Sequence, residues 1–372
     1  MKRPYDSIVI GAGIAGASVA YFLRQKGQKV LVMDKKGVAK GGSGAAGAFV
    51  SPKIGKGSPL QQLTNEAFTY AKDFYLQNFP ECYHQTGVVR IPKDELDAEK
   101  FTSYEEFNTN KYEKISSELL SKKGVHTPFE SFYFEEAGVC DAAAVCEALL
   151  SGIECLELNV SEITYEAGLW QAGGYLSSNI VLATGYENNL FDMRYMGVRG
   201  TWGTRGDFAT GIQLDVSMHQ SMSVSSSFDG VIKLGATHEK LVKDPVECRD
   251  EQALGLQKRA KELVDTSDFK LLETFCGMRA GSKDYFPLLG SVVDVPYMLK
   301  KYPKITQGSK IKEPIKKISN LYVCNGLGGR GFVFGPLMGK MMAESIIDGE
   351  EIDSRVDADR LFLKWCRRVL AR

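Results

Sequence analysis

Two kinds of hydrophobic pattern alternate along this chain. Unbroken apolar runs at Ile8-Val9-Ile10, Val30-Leu31-Val32-Met33, Ile180-Val181-Leu182 and Leu321-Tyr322-Val323 each end in small or acidic residues. Strands buried on both faces read this way, so these runs predict a parallel-rich sheet with helices on its faces. Alternation at Ser221-Met222-Ser223-Val224-Ser225 and Val231-Ile232-Lys233-Leu234 instead predicts antiparallel strands.

The first run opens into Gly11-Ala12-Gly13-Ile14-Ala15-Gly16, a helix is predicted from about Ile14 to Lys26, and the second run closes on Asp34-Lys35. Strand, glycine turn, helix, strand and acid together hold the ADP part of a dinucleotide. Gly11 permits the sharp turn, Gly13 lets the backbone approach a pyrophosphate, and Gly16 lets the helix lie close on the strand. The N–H groups at Ile14 and Ala15 carry the helix dipole toward the phosphates, and Asp34 takes the ribose hydroxyls. Lys35 and Val160 join the expected cofactor contacts. This unit alone fits NAD or FAD.

Later segments narrow the choice. In Lys40-Gly41-Gly42-Ser43-Gly44-Ala45-Ala46-Gly47-Ala48, small residues let backbone amides and the Ser43 hydroxyl crowd a phosphate or a flavin. Ala183-Thr184-Gly185 ends a strand where open α/β sheets meet their ligands. Gly326-Leu327-Gly328-Gly329-Arg330-Gly331 is a second glycine turn, with a helix expected from about Pro336 to Asp348. A helix N-terminus there suits the anionic N1–C2=O edge of a reduced flavin. Both ends of the chain are therefore expected to fold on one FAD.

A chain of 372 residues exceeds one ordinary core, so two domains are expected. The FAD-binding domain, α/β and Rossmann-like, takes 1–80, 138–195 and 318–372. A substrate domain, α+β with a mainly antiparallel sheet, takes 81–137 and 196–317. With 46 basic and 46 acidic side chains there is no global pull toward nucleic acid or anionic membrane. The Ile8 to Leu23 stretch is too short and glycine-diluted to span a bilayer, and it lacks the form of a secretory signal. Eight cysteines without a CxxC pair argue for reduced thiols in a cytoplasmic protein, and four histidines without HExxH spacing argue against a metal site. Between Lys300 and Lys317 lie seven lysines and one acid, Glu313. This is either a phosphate-binding arm near the active-site mouth or a solvated loop.

The order of these motifs, with Gly277-Met278-Arg279-Ala280-Gly281-Ser282-Lys283-Asp284 between them, resembles the D-amino acid oxidase and glycine oxidase family of flavoenzymes. Within it, Asn65-Glu66-Ala67-Phe68-Thr69-Tyr70-Ala71, Val198-Arg199-Gly200, Gly235-Ala236-Thr237-His238-Glu239 and the Gly326 to Gly331 turn are similar to the oxidoreductase domain of the bifunctional tRNA 5-methylaminomethyl-2-thiouridine biosynthesis proteins. That resemblance implies removal of a carboxymethyl group, as glyoxylate, from 5-carboxymethylaminomethyluridine at the tRNA wobble position. It implies Arg279 as the carboxylate clamp, a task that suits a bidentate guanidinium. Arg330 touches the substrate or the isoalloxazine edge, or caps its own loop. Tyr285, His219 and His238 are pocket candidates, while Trp170 and Trp202 are read as core.

FAD is expected to be non-covalent, because Cys276 precedes Arg279 whereas related sarcosine oxidases attach flavin through a cysteine after it. The bifunctional relatives carry an N-terminal methyltransferase domain, but here the dinucleotide strand starts within ten residues of Met1. Any later methylation is then left to a separate tRNA methyltransferase, or the modification stops at the aminomethyl product. Two other readings share the flavin motifs: a small-molecule amine oxidase or dehydrogenase acting on glycine, sarcosine or a D-amino acid, and a catalytically inactive flavin-bound RNA-binding or scaffold protein.

Overall fold

Strand β1 (Tyr5–Ile10), helix α1 (Ile14–Gln25) and strand β2 (Val30–Asp34) form the βαβ unit that the first motif predicts. The computed structural model describes residues 4–187, 189–240, 242 and 246–370. Five strands run parallel in the order Glu154–Glu157, β2, β1, Tyr175–Leu182 and Lys317–Asn325. Antiparallel strands Ile163–Glu166, Leu169–Ala172 and Leu288–Val293 complete this eight-stranded sheet. Ile8, Val9, Val32, Val181 and Val323 are all fully buried, as unbroken apolar runs require.

The last long helix spans Gly331–Ile347 and packs against α1. It starts five residues before the expected Pro336, which lies inside it. Proline has no N–H, so the Phe332 carbonyl loses its helical donor. The fully buried Tyr75 hydroxyl donates to that carbonyl at 2.9 Å. A tertiary contact thus supplies what the local sequence lacks.

The second sheet has nine strands and is antiparallel except where Ser217–His219 pairs with Val88–Arg90. Arg199–Ala209 pairs with Val231–Gly235 on one edge and with Lys270–Gly281 along the other. The fold is therefore a parallel-rich α/β unit joined to a mainly antiparallel α+β unit. Among the described residues, no helix is long and apolar enough to cross a membrane.

Three expectations change. Leu288–Val293 pairs with Lys317–Asn325, so 288–317 belongs with the parallel-rich sheet, and the boundary expected at 317 falls too late. The lysine stretch also moves, because Val293 lies opposite Lys317 at the start of the strand whose far end, Asn325, reaches the cavity described below. Eight residues at about 3.3 Å each put that start roughly 26 Å from the cavity, at the wrong end of the sheet for an arm at its mouth. Finally, Cys248 and Cys276 form a disulfide with Cα atoms 5.5 Å apart, against the expectation of reduced thiols. Their separation of 28 residues carries no pair signature. The pairing arises because Asp250–Ala260, the helix following Cys248, packs on the strand that holds Cys276.

Candidate functional site

The carboxyl ends of the parallel strands and one face of the antiparallel sheet enclose a cavity of about 1040 Å³. At one end the Asp34 carboxylate accepts the Ala12 and Lys36 N–H groups, both at 2.9 Å. A carboxylate has about four acceptor positions, so capacity remains for ribose hydroxyls. Val160 and Lys35 line the same end. The Ile14 N–H, at the start of α1, donates to Ser43 Oγ at 2.9 Å and draws the small-residue loop onto the helix N-terminus.

All the expected cofactor residues line the cavity except Gly16 and Gly44. A Cβ on Gly16 would lie 1.9 Å from the Gly11 carbonyl oxygen, so this glycine serves the close strand-to-helix contact. Gly44 offers its carbonyl to Arg205 at 3.1 Å. At Gly185, Gly328 and Gly329 an added Cβ would meet no protein atom within 4 Å, because the backbone there borders open cavity. Asn325 Nδ2 donates to the Gly185 carbonyl at 2.8 Å and ties the two strand ends together. Two helix N-termini, an acid at a strand end and bare glycine backbone along one elongated cavity fit an extended dinucleotide such as FAD.

Arg205 was not singled out by sequence. It is 4% exposed, pairs with Asp207 at 2.8 Å and donates to the carbonyls of Gly44 and Ala46. One guanidinium thus fixes the backbone of the loop where Ala45-Ala46 offer no polar side chains. Its signal was weak: an arginine two residues from an aspartate in an otherwise strand-like run.

The far end of the cavity is cationic. Arg279 lines it and donates to the Thr237 carbonyl at 2.9 Å, and burial pulls its guanidinium below the usual range. Beside it, burial and then the Arg279 charge lower the pKa of His238, whose Nδ1 lies 3.1 Å from the Ala236 carbonyl. Arg330 donates to the Ser51 carbonyl at 3.2 Å, and burial presses it down to about 10. Arg90 and Lys53, also unforeseen, line the cavity nearby. Burial, then the charge of Arg330, bring Arg90 down to about 9, and the same two causes lower Lys53. His219 contacts Ser223 Oγ at 2.7 Å, and burial, then Arg90, hold it well below its ordinary value.

Tyr285 sits at the rim, 74% exposed. Trp170 and Trp202 are both buried, and Trp170 Nε1 donates to the Ser319 carbonyl at 3.2 Å.

Residues 6–345 match the sequence model of DAO, the FAD dependent oxidoreductase family. The chain belongs to this family. Among curated members, it is 26% identical over 365 residues to the tRNA 5-methylaminomethyl-2-thiouridine biosynthesis bifunctional protein MnmC of Legionella pneumophila, covering 92% of this chain and 54% of that protein. The MnmC of Leptospira interrogans is 27% identical over 392 residues, covering 94% of this chain and 59% of that protein. The chain thus spans a little over half the length of these relatives. Among solved structures, glycine oxidase from Bacillus cereus superimposes with a TM-score of 0.77 at 20% identity, covering 93% of this chain and 96% of that one, and so shares the fold of this DAO protein.

Proposed function

We propose that this protein is an FAD-dependent amine oxidoreductase that removes the carboxymethyl group, as glyoxylate, from 5-carboxymethylaminomethyluridine at the tRNA wobble position. The observation that carries the reading is Arg279, a half-buried guanidinium held by a carbonyl and turned to the end of the cavity where the Gly326 to Gly331 turn lies. The reacting part of the substrate is an N-substituted glycine, and a bidentate guanidinium matches its carboxylate. The similarity to MnmC, a tRNA 5-methylaminomethyl-2-thiouridine biosynthesis protein, supports a modified tRNA uridine as the rest of the substrate. A tRNA substrate places the protein in the cytoplasm.

The residues divide the work. Gly11, Gly13, Ser43, Asp34 and the two helix N-termini would hold FAD non-covalently, and when bound it supplies the two-electron acceptor for the hydride leaving the glycine α-carbon. Arg279 takes the carboxylate and fixes the direction of the α-C–H bond, the main positioning that a hydride transfer requires. His238, neutral at neutral pH and giving Nδ1–H to the Ala236 carbonyl, leaves Nε2 as acceptor for the proton of the substrate amine. Water splits the resulting imine of the substrate into glyoxylate and the primary amine. Arg330 braces the second glycine turn against Ser51.

One observation favours a small-molecule amine as the alternative substrate: the lysine stretch lies at the far end of the sheet from the cavity. Anaerobic mixing of the yellow holoprotein with tRNA bearing the modified uridine, and separately with glycine and sarcosine, separates the two. Flavin bleaching by the tRNA supports the proposal. Bleaching by the free amino acids alone refutes it, and no bleaching by any of them points to a flavin-bound binding protein.

A further inference from the structure

The antiparallel sheet carries a row of residues across the cavity. Gly235 lies opposite Ser223, Ser223 opposite His219, and His219 opposite Arg90. Directly paired residues share a sheet face, and all four line the cavity. Three strand spacings, about 14 Å, separate the backbone of Gly235 from that of Arg90. Arg279 belongs to the Gly235 end, bonded to Thr237 two residues further on. Arg90 stands at the other end, with Lys53 and Arg330 brought beside it from two loops of the FAD-binding side.

No anion among the described residues is bonded to this second cationic centre, and Asp97 acts on Arg90 only as a charge weaker than burial and Arg330. Among the described residues, the Arg90 guanidinium and the Lys53 ammonium make no hydrogen bond or ion pair, and Arg330 meets an uncharged carbonyl. Asp34 and Glu187 are the acids lining the cavity, and both stand at the ADP end. Three half-buried cations gathered with no anion bonded to them repel one another and lose hydration, a cost that a bound anion reverses. Burial lowers the pKa values of all three, with charge repulsion adding to it at Arg90 and Lys53, and Arg90 at about 9 and Arg330 at about 10 stay charged at neutral pH.

We propose that Arg90, Lys53 and Arg330 form a second oxyanion subsite, so that the substrate is a dianion with its secondary amine between a carboxylate at Arg279 and another oxyanion at Arg90. The inference rests on the proposed role of Arg279. On a nucleotide substrate the second oxyanion is a phosphate, and on a small amine it is a second carboxylate. The neutral His219, anchored on Ser223, sits between the two charges and adds none of its own.

The test uses the oxidised holoprotein and its Arg90→Gln, Arg90→Lys and Lys53→Gln variants. Anaerobic flavin reduction is measured with N-ethylglycine, which has one anion, with N-carboxyalkyl glycines of increasing length, and with 5-carboxymethylaminomethyluridine with and without a phosphate. In the native protein the second oxyanion should raise kred/Kd by about 10- to 100-fold, the scale of a charge-assisted contact. Arg90→Gln should abolish that gain, Lys53→Gln should reduce it, and Arg90→Lys should restore part of it. A gain confined to phosphate identifies a nucleotide, and one confined to the carboxylates identifies a small dianion.

Equal losses with mono- and dianionic substrates, or no gain in the native protein, overturn the subsite. If no N-substituted glycine reduces the flavin, the proposed function falls, and calorimetric titration with inorganic phosphate still decides the subsite. Binding that weakens about tenfold or more in Arg90→Gln and Lys53→Gln supports it, and unchanged binding refutes it.

Discussion

Gly203 gives a direct test of the proposed carboxylate clamp. It lies opposite Gly277 in the long strand pair, and a Cβ on it would sit 1.8 Å from Arg279 Nη2 and 2.9 Å from the Thr237 carbonyl oxygen. Ordinary contact begins near 3.4 Å, so in Gly203→Ala the guanidinium must retreat by about 1.6 Å or give up its bond to Thr237. The backbone has little room to yield, because Gly203 pairs with the Lys270–Gly281 strand and the Thr204 N–H is held by Thr237 Oγ1 at 3.0 Å. Misplacing a positioning group by about 1 Å costs roughly 100-fold, or about 2.7 kcal/mol of barrier. Gly203 does not line the cavity, so flavin content should stay at the native level. The assay is anaerobic stopped-flow reduction with an N-substituted glycine, with Arg279→Lys as a companion that keeps the charge but loses the fork. If Gly203→Ala holds its flavin and reduces it within about threefold of the native rate and affinity, Arg279 is not the clamp.

Gly16→Ala should lose FAD and about 1–3 kcal/mol of stability, since its Cβ would press to 1.9 Å from the Gly11 carbonyl oxygen, and thermal melting with the flavin-to-protein ratio reads both effects. Tyr75→Phe removes the donor to the buried Phe332 carbonyl and should lower the urea midpoint by the equivalent of about 1–3 kcal/mol with an unchanged slope. Asp284 bonds Arg360 at 2.9 Å; burial raises its pKa, but the Arg360 hydrogen bond and charge outweigh burial and set it below the ordinary carboxylate value. A depressed folded-state pKa stabilises above the unfolded value of about 3.9 and ceases to do so as pH falls through the folded one. Asp284→Asn should therefore cost about 1 kcal/mol at pH 7, discounted for solvent screening, and the gap to the native protein should close below about pH 4 in urea unfolding.

The βαβ end of the cavity was legible because its parts are contiguous. Gly11 to Gly16 and Asp34 sit on one βαβ unit, where local backbone demands dictate residue type, and unbroken apolar runs announce strands covered on both faces. Pro336 misled because proline ordinarily opens a helix, and its tolerance inside one is helped by Tyr75, which bonds the Phe332 carbonyl from 257 residues away in the chain. Arg205, Arg90 and Lys53 went unseen because each stands alone in its segment and gains a role only when strands from distant regions are paired. The disulfide escaped for the same reason, since no spacing rule covers two cysteines joined by a helix packing on a sheet.

Strand polarity also explains why the lysine-rich stretch stands away from the cavity while sparser cations line it. Parallel strands deliver their carboxyl ends to the ligand, so lysines just before Lys317–Asn325 are carried to the opposite end however many there are. Some of that charge is also neutralised locally, Lys301 by Glu313 and Lys317 by Asp357 and Asp359. The second sheet, antiparallel except between Ser217–His219 and Val88–Arg90, has no common carboxyl end, so its face of the cavity is assembled across the strands from Gly235, Ser223, His219 and Arg90, one residue from each. Substitutions along that row alter the charge and width of the cavity without touching the glycine motifs proposed to hold the cofactor. Substrate choice and flavin binding are thereby separable in this fold: Arg90→Gln should change which amines reduce the flavin while the flavin-to-protein ratio stays at the native level.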